Sequence, residues 1–164
     1  MPEKETIERA RADRRAGKSP GTQAGEFVRE EMHHIRSGKH GARSTKQAIA
    51  IGLSKARRSG VKLRASKTSS ARTRTQAKRD LAKGRRRHRK TSRTRARAVE
   101  GALRREGRRA ATRRSLSHQA HASARRRSAS ARSAAARRAA RTKGARGRSA
   151  AARKAARTRA RRAS

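Results

Sequence analysis

Apolar residues recur at helical spacing in two short stretches of the chain and nowhere else as clearly. In "EFVREEMHHIRSG", Val28, Met32 and Ile35 fall at i, i+4 and i+7, so they line one side of a helix. Glu26, Glu30 and Glu31 stand early, where the helix dipole favours acids, and Gly38 is placed to end the element. In "STKQAIAIGLSKARRSG", Ile49, Leu53 and Ala56 repeat the same spacing. There Ser44 and Gln47 fit a capping box, Arg57 and Arg58 suit the C-terminal dipole, and Gly60 supplies a stop. The pattern predicts helices over about 26–37 and 44–58, joined by "SGKHGAR" into a hairpin. Its expected packing residues are Phe27, Val28, Met32, Ile35, Ile49 and Leu53.

The flanks are weaker. "EKETIERARADRRAG" can form a short helix of alternating charge with a stop at Gly17, but with hardly any apolar face it is marginal alone. "KSPGTQAG" reads as a linker in which Ser19 or Thr22 caps the next helix and Pro20 suits its first turn. Beyond Leu63 the alphabet narrows to arginine, alanine, serine and threonine, with faint echoes of what precedes. Asp13 to Gly17 and Asp80 to Gly84 share D-x-x-x-G followed by a base, and "VEGALRREG" places Val99 and Leu103 at i, i+4. These are either decayed hairpin repeats or coincidences of a small alphabet.

Composition turns this pattern into a fold class. Only 30% of the 164 residues are apolar and most of those are alanine, while the formal net charge is +42. Nine of the fifteen larger apolar side chains lie between Phe27 and Leu63. A chain so poor in hydrophobes and so charged is expected to be disordered over most of its length when free. The fold class read from the sequence is therefore mostly α and disordered: a small helical hairpin followed by a low-complexity Arg/Ala/Ser-rich tail. Three segments follow, a charged but net-neutral head with its linker (1–24), the hairpin module (25–63) and the basic tail (64–164). Arginine and alanine favour helix, but like charges at i, i+4, such as Arg137 with Arg141 or Arg153 with Arg157, oppose it in free solution. Helix in the tail is thus expected on binding a polyanion. The hairpin alone falls below the size at which domains usually stand without staples, so homo-oligomerisation through it is a further expectation.

Residues 1–31 hold seven acids and seven bases; the rest hold 45 bases against Asp80, Glu100 and Glu106. That asymmetry predicts a basic arm for a polyanion. Forty of the 52 bases are arginine, whose planar fork grips phosphate oxygens in pairs. Full engagement would neutralise about 42 phosphates, on the order of 20 base pairs. Such a ligand coats the backbone and does not read one short site. Single-strand binding by stacking needs aromatics, and Phe27 is the only one. The basic clusters expected to hold phosphate are Arg85, Arg86, Arg87, Arg89 and Lys90; Arg125, Arg126 and Arg127; Arg137, Arg138, Arg141 and Lys143; and Arg153, Lys154, Arg157, Arg159, Arg161 and Arg162.

Other chemistries fare poorly. There is no cysteine, hence no thiolate site, and no paired carboxylates, triad or phosphate-cradling glycine loop can be assembled, so no enzyme and no small-molecule substrate are expected. His33, His34, His40 and the pair His118 and His121 are the conceivable metal ligands. No carboxylate or thiol joins the second pair and the surroundings are cationic, so neither metal nor cofactor is expected. The longest apolar run, "AIAIGL", is far too short to span a bilayer, the basic body lacks bulky membrane anchors, and the acidic start "MPEKETIERA", without an apolar stretch, argues against a secretory signal, so neither membrane binding nor secretion is expected.

The stretch "GEFVREEMHHIRSGKHGARSTKQAIAIGLSKARRSGVKL" resembles a family of small bacterial proteins of unknown function marked by "GK…STKQAIAIGLS.ARR.G" and a basic tail. Some members carry labels such as plasmid stabilisation or DNA binding. The resemblance implies a bacterial cytoplasmic protein with a helical hairpin and brings no catalytic residues. The tail "ARTKGARGRSAAARKAARTRARR" separately resembles linker-histone-like and protamine-like arms. The function expected is sequence-independent binding and compaction of nucleic acid in the nucleoid, DNA favoured over RNA. The alternatives are an RNA- or ribosome-associated protein, and a protein-interaction hairpin with a localising tail.

Overall fold

The computed structural model describes residues 2–85 and 92–163, with no side-chain account of Arg162 and Ala163. Over these residues the elements are α1 (Lys4–Arg15), α2 (Pro20–Arg36), α3 (Thr45–Arg58), α4 (Ala71–Arg85), α5 (Arg93–Arg104), a short 3-10 helix (Arg109–Ala111), α6 (Arg113–Arg125) and α7 (Ala129–Ala163). Packing divides the chain into two compact units, Met1–Gln119 and Ala120–Ser164.

Local chemistry sets the boundaries of the two central helices. Ser19 is extended and its Oγ accepts the Thr22 N–H at 3.3 Å, with Pro20 as the first helical residue, so α2 begins at Pro20 and not at residue 26. Ser44 Oγ accepts the Gln47 N–H at 3.2 Å and starts α3. Gln47 Oε1 in turn accepts the Arg43 N–H at 2.8 Å, one residue ahead of the usual reciprocal bond. Gly38 and Gly60 take φ of 81° and 93° just past the two C-termini, a conformation that costs glycine little.

α2 and α3 pack against each other, and at their contact a Cβ on Gly52 would lie 2.8 Å from Val28 Cα. No side chain fits between the two backbones there. Two small cores flank this contact. One joins Ala10 of α1, Ala24 and Phe27 of α2, Ala56 of α3 and Val61, with Ile7, Leu53 and Leu63 beside them. The other joins Met32, Ile35, Ala42, Ala48, Ala110 and Ala111, with Val28, Ile49 and Leu116 beside them. The apolar stripes of α2 and α3 are thus covered by α1 on one side and by the 110–116 segment on the other. Fully burying Phe27, 1% exposed, is worth on the order of 1.5–3 kcal/mol.

Segments far along the chain dock by backbone approach. α4 lies on α3 through Asp80, 1% exposed, which accepts bonds from Ser54 Oγ (2.8 Å), Arg58 Nε (2.9 Å) and Gln76 Nε2 (3.3 Å). One turn on, a Cβ at Gly84 would sit 2.3 Å from the Arg57 carbonyl oxygen, so only glycine lets α4 reach the end of α3. The D-x-x-x-G motif at 80–84 is therefore a docking device. After α5, the Gly41 N–H donates to Leu103 O at 2.9 Å and the Ala42 N–H to Gly107 O at 3.1 Å. Thr45 Oγ1 donates to Ala110 O at 2.7 Å and Arg36 Nε to Ala111 O at 2.8 Å.

The fold class expected from composition is corrected here. Among the described residues no disordered tail follows Leu63: α4, α5, α6 and α7 hold most of them, so the low-complexity sequence is helical. Two physical terms were underweighted. Alanine builds the core, supplying eight of the twelve buried hydrophobic residues, because small side chains let backbones close on one another. The charged helices also have start signals: Ser70 Oγ accepts the Thr73 N–H, Thr112 Oγ1 the Ser115 N–H and Ser128 Oγ the Ala131 N–H, each at 3.2 Å. Between them, alanine and arginine provide propensity worth up to about 0.7 kcal/mol per residue over poorer formers, against about 0.2–0.5 kcal/mol for a like-charged i, i+4 pair.

α7 has one interruption. Gly144 takes φ 63° and ψ 176° and divides the element into helical arms over 129–143 and 145–163. Across the break, Arg148 Nη1 donates to the Ala140 carbonyl at 2.8 Å, satisfying an acceptor that the interrupted ladder releases.

Candidate nucleic-acid interface

Four of the ten acids are buried and others pair at the surface. Glu26, Glu30, Glu31 and Asp80 are buried, with Glu31 at 0% exposure. Glu26 Oε2 accepts from Arg9 Nε and Arg29 Nη1, both at 3.1 Å, linking α1 to α2. Asp13 holds Lys18 at 2.7 Å, Glu5 holds Arg9, and Glu100 holds Arg104 at 2.7 Å. Glu3 accepts from Lys39 Nζ and lies against His34 Nε2, each at 2.8 Å. Those bonds, Lys39's foremost, hold the Glu3 carboxyl well below its usual range, at about 2.

The bases face outward. α7 carries Arg137, Arg138, Arg141, Lys143, Arg153, Lys154, Arg157, Arg159 and Arg161, all exposed, and no described residue of α7 is buried. They are spread around the helix and do not form one stripe, so a polyanion meets cation from any approach. Arg125, the last residue of α6, and Arg126 and Arg127 after it are also exposed. Arg162 lies in α7, its side chain outside the described set, and Arg86, Arg87, Arg89 and Lys90 lie outside the described residues.

Arg85 has a different setting. With Arg57, Lys62 and Arg64 it lines a cavity between the end of α3, the 61–64 segment and the end of α4, completed by Gly60, Leu81 and Gly84. Arg57 is oriented by its Nε bond to Leu63 O at 2.9 Å. Four basic residues, Leu81 and two glycines line it, and no acid is among the described lining residues. Reading by clusters did not join Arg57, Lys62 and Arg64 to Arg85, since the contact that brings them together depends on Asp80 and Gly84. The sequence did show that motif, without its partner.

The six residues expected to pack the hairpin divide as follows. Phe27, Met32 and Ile35 are buried, while Val28, Ile49 and Leu53 are partly buried at the edges of the two cores. Among the described residues no helix is long and apolar enough to cross a membrane.

Residues 14–68 match a family of unknown function (DUF6496). The matched span takes in the end of α1, all of α2 and α3, and the segment that leads toward α4. It marks a domain of unknown function and assigns no chemistry. No curated protein and no solved structure matches the chain.

Proposed function

We propose that this protein binds nucleic acid without sequence preference, DNA before RNA, and compacts it in the bacterial nucleoid. One observation carries the reading. Glu26, Glu31 and Asp80 are buried in ion pairs, while the described arginines of α7 stand exposed, so a surface rich in cation faces the surroundings of a chain with net charge +42. Phosphate contacts of this kind fix position and carry no base information. Binding, and not catalysis, is the role that such a surface serves.

The test is a gel-shift titration of nuclease-treated protein on two unrelated duplexes and a duplex RNA, between about 50 and 200 mM salt. Equal affinity for the two DNA sequences and a fall of 10³ or more across the series are expected for many phosphate contacts. A response that is flat with salt, or a strong preference for one duplex, overturns the reading. Tighter binding to the RNA replaces DNA with RNA as the partner.

A further inference from the structure

We propose that Glu31, His34 and His40 form a binding site for a divalent transition-metal ion of the zinc class, tying α2 to the loop that follows it. The three residues each offer a ligand atom, and these atoms lie within 4.8 Å of one another. Glu31 and His34 are one turn apart on α2, and His40 comes from the loop. His33, beside them in sequence, is exposed and takes no part.

The hydrogen bonds leave each histidine a ring nitrogen free to act as a ligand. His40 Nδ1 lies 3.0 Å from the Gly41 carbonyl and donates to it, which leaves the Nε2 lone pair free. His34 Nε2 lies 2.8 Å from a Glu3 oxygen and donates to it, which frees Nδ1. Backbone-carbonyl and carboxylate partners of this sort orient ligating imidazoles. Glu31 is fully buried; its Oε2 is ion-paired with Lys55 Nζ at 2.6 Å, and its Oε1 receives no hydrogen bond. Its Oε1 sits 3.3 Å from His40 Nε2 without the geometry of an N–H···O bond. Two ligands of a tetrahedral ion at bond lengths of about 2.1 Å stand roughly 3.4 Å apart, so this pair is already at ligand spacing.

The local charge also runs against that of the chain. Facing the site are Glu3, Glu30 and Glu31 against Lys39 and Lys55, a net negative pocket in a strongly cationic protein. Lys55 Nζ approaches Glu31 Oε2 at 2.6 Å and Glu30 Oε1 at 3.7 Å, which balances the buried carboxylates and leaves Oε1 toward the histidines. Two imidazoles and one carboxylate without thiolate fit zinc or its surrogate cobalt, with the fourth position open to water.

The experiment uses the full chain, freed of nucleic acid and stripped with chelator. Zinc is titrated in competition with a chromophoric chelator, and cobalt(II) is followed by its visible ligand-field bands. One ion per chain, cobalt bands of four-coordinate intensity and a rise in the thermal midpoint with zinc are expected. His40→Ala should lower zinc affinity at least tenfold while the metal-free protein keeps its helical circular dichroism. The double variant His118→Ala/His121→Ala should bind as the parent does. Lys55→Met removes a competing cation and should tighten binding. Absence of saturable zinc binding and of cobalt bands in the unmodified chain overturns the proposal without recourse to any variant. So does binding that survives in His34→Ala/His40→Ala.

Discussion

α2 and α7 are both helices, and they are helical for different reasons. α2, 17 residues long, buries nine of them, including Phe27, Ile35 and three glutamates. α7, 35 residues long, buries none of its described residues and is held by alanine and arginine propensity, a serine cap and one guanidinium across its break. α2 takes its stability from neighbours and α7 from itself. A polycation can therefore be ordered without a core, provided that its neutral residues are helix formers and its ends are capped.

The comparison implies that the two regions fail under different insults. Removing residues 128–164 deletes 13 bases and should flatten the salt slope of DNA binding by as much as about 12, the largest effect foreseen. The melting of the first unit should be unchanged by that truncation, as read by circular dichroism. Phe27→Ala should do the reverse, lowering unfolding free energy by about 3–5 kcal/mol in denaturant titrations and leaving the salt slope intact. Asp80→Ala removes the acceptor shared by Ser54, Arg58 and Gln76 and should cost about 2–3 kcal/mol.

The smallest effect is one of pH. The Glu3 carboxyl is depressed to about 2 in the folded protein, so its contribution is complete above the ordinary value of 4.5 and fades as pH falls toward about 2. The difference in thermal midpoint between pH 6 and pH 3 should narrow in Glu3→Gln. An unchanged difference would mean that the bonds from Lys39 and His34 do not bear on stability.

What could be read in advance depended on whether a residue acts within its own stretch. Ser19, Ser44, Gly38 and Gly60 act on the backbone beside them, and their positions alone announced caps and stops. Gly52 and Gly84 act on backbones 24 and 27 residues away, so nothing near them in sequence shows what they touch. Alanine misled for a related reason. Its small transfer energy discounts it as core, whereas its value at Ala48, Ala56 and Ala111 is to let larger groups approach. The histidines were judged against the charge of the whole chain, which is positive, but the fold surrounds His34 and His40 with carboxylates. That Arg57, Lys62 and Arg64 meet Arg85 is a product of docking, which no local pattern shows.

The break at Gly144 bears on reach. At about 1.5 Å per residue, an unbroken α7 would be a rod of roughly 52 Å, longer than one turn of duplex at about 34 Å, and a straight rod of that length departs from a winding groove. The arms over 129–143 and 145–163 are roughly 22 and 28 Å, each shorter than a turn. If the proposed function holds, the positive-φ Gly144 turns one overlong lever into two strides, each short enough to stay beside a curving phosphate backbone.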